Sequence, residues 1–245
     1  MSGIAAVIPA RAGSKGVPNK NIKLLAGNPL LAYSIAAARS TKSVDRVIVS
    51  TDSEYYADIA RKYGAEVPFL RPSEISGDNN TDFEWIKHML DWMRKEDETL
   101  PNYLVHLRPT TPLRAPIYIE KAIQCLKKDK EATALRSVHE MSESAYKTVE
   151  VDQNYLKCIC SGSFDLDAAN MPRQTFPKTY ITNGYVDIYR SFYILDNEKL
   201  LGDKVIPYIT PCAFEIDTLE DFDYLEFLAE KTPELIGALL TKNKT

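Results

Sequence analysis

A segment near the start of the chain combines cations, hydroxyl groups and glycine in a way that suits phosphate chemistry. Residues 9–21 read PARAGSKGVPNKN, which places Arg11, Lys15 and Lys20 beside two glycines. Glycine lets backbone N–H groups approach phosphate oxygens closely, and the cations offset the charge of a triphosphate. The segment lacks both the Gly-Lys step of a Walker A loop and a GxGxxG fingerprint. It therefore predicts a phosphate-binding loop of another type.

Two carboxylates far along the chain offer the complementary metal chemistry. Glu215 and Asp217 are two residues apart, and on an extended strand such residues share a face. Mg²⁺ prefers one or two carboxylates together with phosphate oxygens and water, so the pair is a candidate magnesium site. The alternative is a structural role, in which the acids interact with the N-terminus of the helix that Thr218 is expected to begin.

The overall composition limits the classes of protein that could carry these groups. The chain has 245 residues, of which 44% are hydrophobic and 26% charged, as in a folded domain rather than a disordered or fibrous chain. Its net charge is −4, so the chain lacks the excess of positive charge that is typical of nucleic-acid-binding proteins. No apolar run reaches the roughly 20 residues that cross a bilayer, and the N-terminus shows no signal-peptide pattern. We expect a single cytoplasmic domain over residues 1–245, with no membrane or nucleic-acid partner.

The first half of the chain alternates short apolar runs with helical patterns, which is typical of βαβ units around a mostly parallel sheet. Strands are predicted at residues 3–8, 46–50, 66–70 and 103–107. Helices are predicted at residues 28–40, 53–62 and 116–127, with another beginning at Thr81, and Asn28 and Ser53 are expected caps. Ligands bind beyond the carboxyl ends of such strands. The cationic loop follows the first strand directly, which favours a ligand over a merely solvated loop.

The pattern changes after Ala132. Strands are predicted at residues 133–138, 148–151, 155–159, 184–189 and 205–209, with a last helix at residues 218–230. Residues from about 140 to 180 carry little helical pattern. They predict an insertion that projects from the sheet.

Several blocks of the chain resemble, in order, those of the acylneuraminate cytidylyltransferases, which make CMP-activated nonulosonic acids. The most specific is the cationic loop, which fits the family signature RxGSKGxxxKN. The other blocks are VIVSTD at 47–52, LRP at 70–72, PTTPLR at 109–114, PRQ at 172–174, NG at 183–184 and EID at 215–217. The resemblance spans roughly residues 3 to 230.

The resemblance implies a Rossmann-like α/β nucleotidyltransferase fold, with helices on both faces of the sheet and an inserted dimerisation element at about residues 140–180. It also implies Mg²⁺ as cofactor and a homodimer. The implied reaction transfers CMP from CTP to the anomeric hydroxyl of a 2-keto sugar acid of the sialic, legionaminic or pseudaminic type, with release of pyrophosphate. Such a reaction needs charge stabilisation at the α-phosphate more than covalent chemistry.

The resemblance also assigns roles to individual residues. Arg11, Lys15 and Asp217 are the expected catalytic groups, and Glu215 joins Asp217 at the metal. The expected nucleotide-binding residues are Arg11, Gly13, Ser14, Lys15, Lys20, Asn21 and Arg71, with Arg71 at the cytosine. No general base is assigned.

A sugar-acid acceptor brings its own carboxylate and calls for a second cationic cluster. A guanidinium suits a carboxylate best, which favours Arg108 and Arg173 over Lys147 and Lys178. For Arg114, at a helix start, a surface role is equally expected. The expected acceptor-binding residues are Arg108, Lys147, Arg173, Asn183 and Asp187. Tyr185, Tyr189, His88 and His106 are expected to be structural.

Three positions depart from the family pattern. Arg108 stands where the family has Gln, Glu215 where it has Asp, and residues 183–187 read NGYVD instead of N-G-[AS]-[IF]-Y. Either Arg108 and Asp187 form a pair, or they reshape the acceptor pocket for a different sugar. The alternatives to the main hypothesis are an eight-carbon ulosonate or another sugar with a different nucleotide, a nucleotide-binding module without catalysis, and a glycosyltransferase with a metal site at residues 50–52.

Overall fold

A six-stranded sheet forms the centre of the computed structural model, which describes residues 3–14, 16–97, 100–159 and 165–240. Among these residues the strands are β1 (Ile4–Pro9), β2 (Leu24–Leu25), β3 (Asn28–Pro29), β4 (Arg46–Ser50), β5 (Tyr103–His106), β6 (Ala134–Glu140), β7 (Val149–Asp152), β8 (Tyr155–Cys158), β9 (Tyr180–Arg190) and β10 (Val205–Ile209). The helices are α1 (Leu30–Arg39), α2 (Glu54–Lys62), α3 (Asp82–Glu96), α4 (Pro116–Lys128), α5 (Leu166–Ala169), α6 (Ser191–Asn197), α7 (Leu219–Lys231) and α8 (Pro233–Leu240). Lys15 lies outside the described residues.

The sheet is mostly parallel, as predicted. Its strand order is β10-β6-β9-β5-β1-β4. β1 pairs in parallel with β4 and β5, and β6 pairs in parallel with β10. The exception is β9, which runs antiparallel between β5 and β6. The mostly parallel α/β architecture expected from the sequence is confirmed.

Helices cover both faces of this sheet because its inner strands are apolar on both sides. On β1, Ile4, Ala6 and Ile8 pack into the core beneath α1, α2, α4, α7 and α8. The alternate residues Ala5 and Val7 pack into a second core, beneath α3 and α6. Adjacent side chains of a strand point to opposite faces, so a continuous apolar run becomes a strand buried on both sides.

Helix caps largely follow the sequence signals. Ser53 caps α2 by accepting from Tyr56 N, and α3 and α7 begin with capping boxes at Thr81 and Thr218. The prediction for Asn28 was wrong: α1 begins at Leu30, and Asn28–Pro29 forms β3 instead. A tight turn with positive φ at Ala26 and Gly27 pairs β3 with β2, which leaves Asn28 extended.

The strand predicted at residues 66–70 was also wrong. Only Glu66 bridges to Ile48 on β4, and no further ladder forms. Pro68 has no N–H to donate and removes a ladder bond from the middle of the segment. Conversely, β9 begins four residues earlier than predicted, because Tyr180, Ile181 and Thr182 pair with the far end of β6.

The predicted insertion contains a hairpin of β7 and β8, whose strands pair with each other in their own two-stranded sheet. Its turn places Gln153 at a φ of 56°. Large apolar side chains on it are exposed, including Val151, Tyr155 and Leu156. Within the part of the chain that the structure describes, no helix has the length and apolar character needed to cross a membrane.

Candidate active site

A cavity of about 410 Å³ opens beyond the carboxyl ends of β1 and β5, where the sequence predicted a ligand. We call it the main cavity. Its lining residues are Pro9, Arg11, Ser14, Gly16, Lys20, Asn21, Arg71, Ile75, Gly77, Asp78, Asn80, Asp82, Trp85, Arg108, Pro109, Thr110, Glu215 and Asp217. Arg11, Ser14, Lys20 and Asn21 of the cationic loop therefore share one cavity with both acids of the proposed metal site, whereas Gly13, also predicted to bind the nucleotide, does not line it.

Side chains from the loop itself and from the segment that follows β4 fix the shape of the cationic loop. Asn21 Nδ2 donates to the Arg11 carbonyl at 3.0 Å, and Asp52 Oδ1 accepts from the Ala12 N–H at 2.8 Å. Gly13 has a φ of +74°, a conformation that favours glycine. Arg11 Nη2 donates to Asp78 Oδ1 at 2.6 Å at the rim of the cavity. Asn21 thus supports the backbone of the loop, while Arg11 and Ser14 face the ligand space.

The loop lies against the segment that carries the acids. Lys20 Nζ donates to the Ile216 carbonyl at 2.7 Å and to Asp217 Oδ1 at 3.1 Å. A Cβ on Gly16 would lie only 2.5 Å from the Asp217 carbonyl oxygen. Glycine at position 16 is therefore required for this close approach, and Lys20 holds the two segments together.

The two acids fit a magnesium ion. The Asp217 carboxylate is 76% exposed towards the cavity side, and Glu215 Oε1 accepts from Thr110 Oγ1 at 3.0 Å. The alternative structural role belongs to another residue, because Asp221 accepts from the Asp217 and Thr218 N–H groups at the start of α7. Among the described residues no three His, Cys, Asp or Glu side chains form a ready metal cluster. A cation here needs additional oxygens from a phosphate and water, which is how Mg²⁺ is usually held.

Arg71 supplies a buried cation at another wall of the cavity. Its Nε and Nη2 donate to the Ser50 hydroxyl and carbonyl at 3.0 and 2.8 Å, and its guanidinium lies 5.2 Å from the Trp85 ring centroid. No carboxylate forms an ion pair with it in the ranges that the structure covers. Burial lowers the pKa of Arg71 to about 10, so it is still charged at neutral pH and available to a ligand.

Arg108 is bound on both sides by carboxylates. Its Nη1 donates to Asp187 Oδ2 at 2.8 Å, and its Nη2 donates to Asp82 Oδ2 at 2.7 Å. Burial opposes the charge of Arg108, but Asp187 and Asp82 outweigh it and raise its pKa. Of the two alternatives left open by the sequence, the Arg108–Asp187 pair is thus formed. Asp187 is 1% exposed and does not line the cavity.

A buried aromatic layer supports this ion pair. The His106 Nδ1 lies 3.2 Å from the Tyr189 hydroxyl, and the Trp85 Nε1 donates to Asp82 Oδ1 at 3.1 Å. Burial lowers the pKa of His106, which keeps the imidazole neutral. Burial acts to raise the pKa of Asp82, but the charge and hydrogen bond of Arg108 and the hydrogen bond from the Trp85 N–H outweigh it and lower the pKa. The structural roles expected for Tyr189 and His106 fit this position.

Besides Asp187, three predicted acceptor-binding residues do not line the main cavity. Arg173 Nη2 donates to Glu140 Oε1 at 2.9 Å and lines a separate cavity of about 470 Å³, together with Lys178. Lys147 Nζ lies 3.5 Å from Glu143 Oε2 on the exposed insertion. Asn183 is buried, and its Nδ2 donates to Thr210 Oγ1 and lies 3.0 Å from His139 Nδ1. Within one chain the structure does not bring these residues to the loop and acids.

Arg114 is fully buried, so the surface role considered for it was wrong. Its Nη2 donates to the Arg108 and Gly184 carbonyls at 2.7 and 3.0 Å, and its Nη1 donates to Ser34 Oγ. Burial lowers its pKa. Arg114 joins the loop after β5 to β9 and thereby positions the backbone of Arg108. Tyr185 is buried too and accepts from the Ala115 N–H at 2.7 Å.

Gly184 lies where the two sides of the cavity meet. A Cβ on this residue would lie 2.5 Å from Thr111 Oγ1, 3.3 Å from Glu215 Oε1 and 3.6 Å from Arg108 Cδ. Thr111 and Arg108 belong to the loop after β5, and Glu215 belongs to the segment that carries the acids. Only a residue without a side chain lets them approach one another.

Several lining residues were not singled out from the sequence, among them Asp78, Asp82, Trp85 and Thr110. Asp82 is the first residue of α3, where an acid is ordinarily explained by the helix dipole. Trp85 follows the apolar spacing of the same helix and is buried at 3% exposure. The types and spacing of these residues therefore did not indicate that they line a ligand site.

Comparison with known proteins identifies the class to which this fold and site belong. The sequence profile of the family described as Cytidylyltransferase matches residues 5–236. The chain therefore belongs to the cytidylyltransferase family.

Several curated relatives are similar along nearly the whole chain. The CMP-N,N'-diacetyllegionaminic acid synthase of Legionella pneumophila is 30% identical over 95% of this chain and 99% of that protein. The post-translational flagellin modification protein B of Campylobacter coli is 31% identical over 94% and 97%. The N-acylneuraminate cytidylyltransferase of Escherichia coli is 32% identical over 93% of this chain and 52% of its own length. The family resemblance seen in the sequence is confirmed.

Solved structures support the fold. A CMP:2-keto-3-deoxy-manno-octonic acid synthetase complexed with CTP superposes with a TM-score of 0.69 at 16% identity, over 94% of this chain and 99% of that one. A 4-diphosphocytidyl-2C-methyl-D-erythritol synthase from Anaerococcus prevotii superposes with a TM-score of 0.63 at 16% identity, over 94% and 99%. At this identity the likeness concerns the architecture alone.

Proposed function

We propose that the protein transfers CMP from CTP to the anomeric hydroxyl of a 2-keto sugar acid of the nonulosonic type and releases pyrophosphate. One observation carries the proposal: the cationic loop after β1 and the acids Glu215 and Asp217 line the same cavity and are joined through Lys20. The family of the chain and the names of its curated relatives agree with this chemistry.

In the proposed reaction the protein mainly positions and stabilises charge. Arg11, Ser14 and Lys20 face the space where the triphosphate would lie, and Arg71 is a buried cation that can donate to the cytosine carbonyl. Charge on the phosphate oxygens grows as the anomeric hydroxyl attacks the α-phosphorus and pyrophosphate leaves. Lys15, which the sequence assigns to the same loop, belongs to this proposal as well.

Mg²⁺ is the proposed cofactor, and Glu215 and Asp217 are the residues that would hold it. When bound, the ion supplies Lewis-acid stabilisation of phosphate oxygens. Lys20 then serves two partners, since it holds the Asp217 segment and adds positive charge beside the triphosphate. The acids would thereby hold the metal ion on the side of the cavity where their segment contacts the cationic loop.

We also propose a homodimer that forms through the insertion. The β7–β8 hairpin exposes Val151, Tyr155 and Leu156, which are 74%, 79% and 55% accessible. Val151 and Leu156 are register partners and share one face of the hairpin, and exposed apolar side chains of this kind are typical of a protein interface. Sedimentation of the full chain should show a dimer at micromolar concentration, and a monomer there would overturn this part alone.

The function is tested by incubating the protein with CTP, Mg²⁺ and a panel of sugar acids while pyrophosphate is measured. The panel contains sialic, legionaminic and pseudaminic acids and one eight-carbon ulosonate. Release should require CTP, the divalent cation and a nine-carbon acid. UTP, GTP and ATP are the matched controls for the nucleotide. The absence of release with every acceptor, while CTP still raises the melting temperature, would favour a binding module without catalysis.

A further inference from the structure

Arg108 differs from the other cations of the main cavity in how it is held. Its two carboxylate partners come from different elements, since Asp82 begins α3 and Asp187 lies in the middle of β9. Asp187 is 1% exposed, whereas the Asp78 partner of Arg11 is 33% exposed. A ligand or water can replace Asp78 at Arg11. If Arg108 moved away from Asp187, however, the buried carboxylate would be left as an unpaired charge, which is unfavourable. Arg108 therefore keeps Asp187 as a partner when a ligand binds, whereas Asp82, whose side chain is 35% exposed, is as accessible as Asp78.

The charges around Arg108 cancel. Asp82 and Asp187 carry two negative charges, and Arg108 carries one positive charge. Arg136 brings a second positive charge, with its Nε 3.7 Å from Asp187 Oδ1. Asp82 also lines the cavity beside Arg108, so a carboxylate that enters here meets a negative group. The position does not attract an anion in the way that Arg71 does.

Arg108 nevertheless has hydrogen-bond donors left. A guanidinium has five N–H groups, and the two carboxylates account for one at Nη1 and one at Nη2. Its side chain is 19% exposed and lines the cavity. Donors without net charge suit a hydroxyl or an amide carbonyl better than a carboxylate.

We propose that Asp187 is a positioning residue that compensates the charge of Arg108 and orients its guanidinium, so that Arg108 donates a hydrogen bond to a hydroxyl or amide carbonyl oxygen of the acceptor and does not bind its carboxylate. The inference rests on the proposed function, because it assigns part of the acceptor subsite. The acceptor's carboxylate is then received by a different cation.

Three variants test this assignment: R108Q, D187N and the double variant R108Q/D187N. R108Q leaves Asp187 buried without its main partner, so we expect a lower melting temperature and a loss of about 100-fold in kcat/KM for the acceptor. D187N alone leaves Arg108 with excess charge and a missing partner, and we expect a loss of about tenfold. The double variant again offers an uncharged amide donor, and we expect it to recover to within about fivefold of the parent.

The readouts separate a binding role from a structural one. The loss in R108Q and D187N should appear mainly in KM for the acceptor, while the increase in melting temperature on adding CTP stays unchanged. A double variant that regains its melting temperature but remains as slow as R108Q would overturn the proposal.

The failure of the proposed function looks different. In that case the parent protein itself releases no pyrophosphate with any acceptor. Turnover by the parent is therefore measured first, with the same acceptors.

Discussion

The rim and the floor of the main cavity hold their cations in different ways. At the rim, Arg11 and Lys20 pair with Asp78 and Asp217, whose side chains are 33% and 76% exposed. At the floor, Arg108 pairs with Asp187, which is 1% exposed. Exposed ion pairs contribute little to stability and can exchange partners, whereas breaking a buried pair leaves a desolvated charge. The comparison teaches that the rim is built to receive charge from a ligand and the floor is built to keep a fixed arrangement.

The largest effect should follow from removing an exchangeable acid. In D217N the candidate metal loses a charged ligand while Lys20 keeps its bond to the Ile216 carbonyl. We expect kcat to fall by about 100-fold to 1000-fold, because a group that stabilises developing charge is lost. Pyrophosphate release measures this. The matched control is D223N, an exposed aspartate of α7 that does not line the cavity, and an equal loss in both variants would contradict the role of Asp217.

A smaller loss should follow from separating the loop from the acids. In G16A the new methyl group would lie 2.5 Å from the Asp217 carbonyl oxygen, so one of the two segments must shift. We expect a decrease of about 10-fold to 100-fold in kcat/KM for CTP, because displacement by about 1 Å weakens positioning to that degree. Steady-state kinetics with varied CTP measure it. The control is G3A, where the atom nearest to the new Cβ would be 3.6 Å away, and kcat/KM for CTP should be unchanged in this variant.

The floor should respond to acid through His106. Its pKa is lowered in the folded state, so below about pH 6.5 the unfolded chain takes up a proton that the folded one does not, and stability decreases as pH decreases. The slope reaches at most about 1.4 kcal/mol per pH unit for this group. Urea unfolding at pH 7 and pH 5 measures it. In H106F this slope should be reduced. It should not vanish, because burial also lowers the pKa of His88.

Asp82 does not disturb this measurement. Its pKa is lowered from a usual value of 3.8, so its contribution to stability is present above that value and is lost only at lower pH. An unchanged slope between pH 7 and pH 5 in H106F would contradict the assignment to His106.

The smallest effect should come from the exposed acid at the rim. In D78N the partner of Arg11 loses its negative charge. We expect the free energy of unfolding to change by no more than about 0.5 kcal/mol, because the pair is exposed. Thermal unfolding of D78N beside D187N makes the comparison direct, since the latter disturbs a buried pair. A stability loss as large as that of D187N would remove the distinction between rim and floor.

The rim was largely predictable from the sequence and the floor was not. Arg11, Ser14, Lys20 and Asn21 lie within a single loop after an apolar strand, so local spacing indicated their chemistry. The partners of Arg108 are 26 and 79 residues away along the chain. Pairing of that kind depends on the sheet order, in which β9 enters antiparallel beside β5, and no local periodicity encodes that order.

The errors in secondary structure have a similar origin. The fully apolar strands and the Ser53, Thr81 and Thr218 caps depend on neighbouring residues and were predicted well. β9 was predicted too short because its first residues are exposed and show no alternating apolar pattern. They form a strand only because they pair with the end of β6, which lies about 40 residues earlier in the chain. The position of Lys147 and Arg173 away from the main cavity was likewise not predictable, because the sequence does not tell in which direction the insertion projects from the sheet.

Gly184 makes the rim and the floor dependent on one another. A Cβ at this position would lie 2.5 Å from Thr111 Oγ1 and 3.3 Å from Glu215 Oε1 and would touch Arg108 Cδ at 3.6 Å, so an added methyl group must displace the Thr111 side chain and press on Glu215. A substitution at this position would therefore disturb the loop after β5 and the segment that carries the acids at the same time.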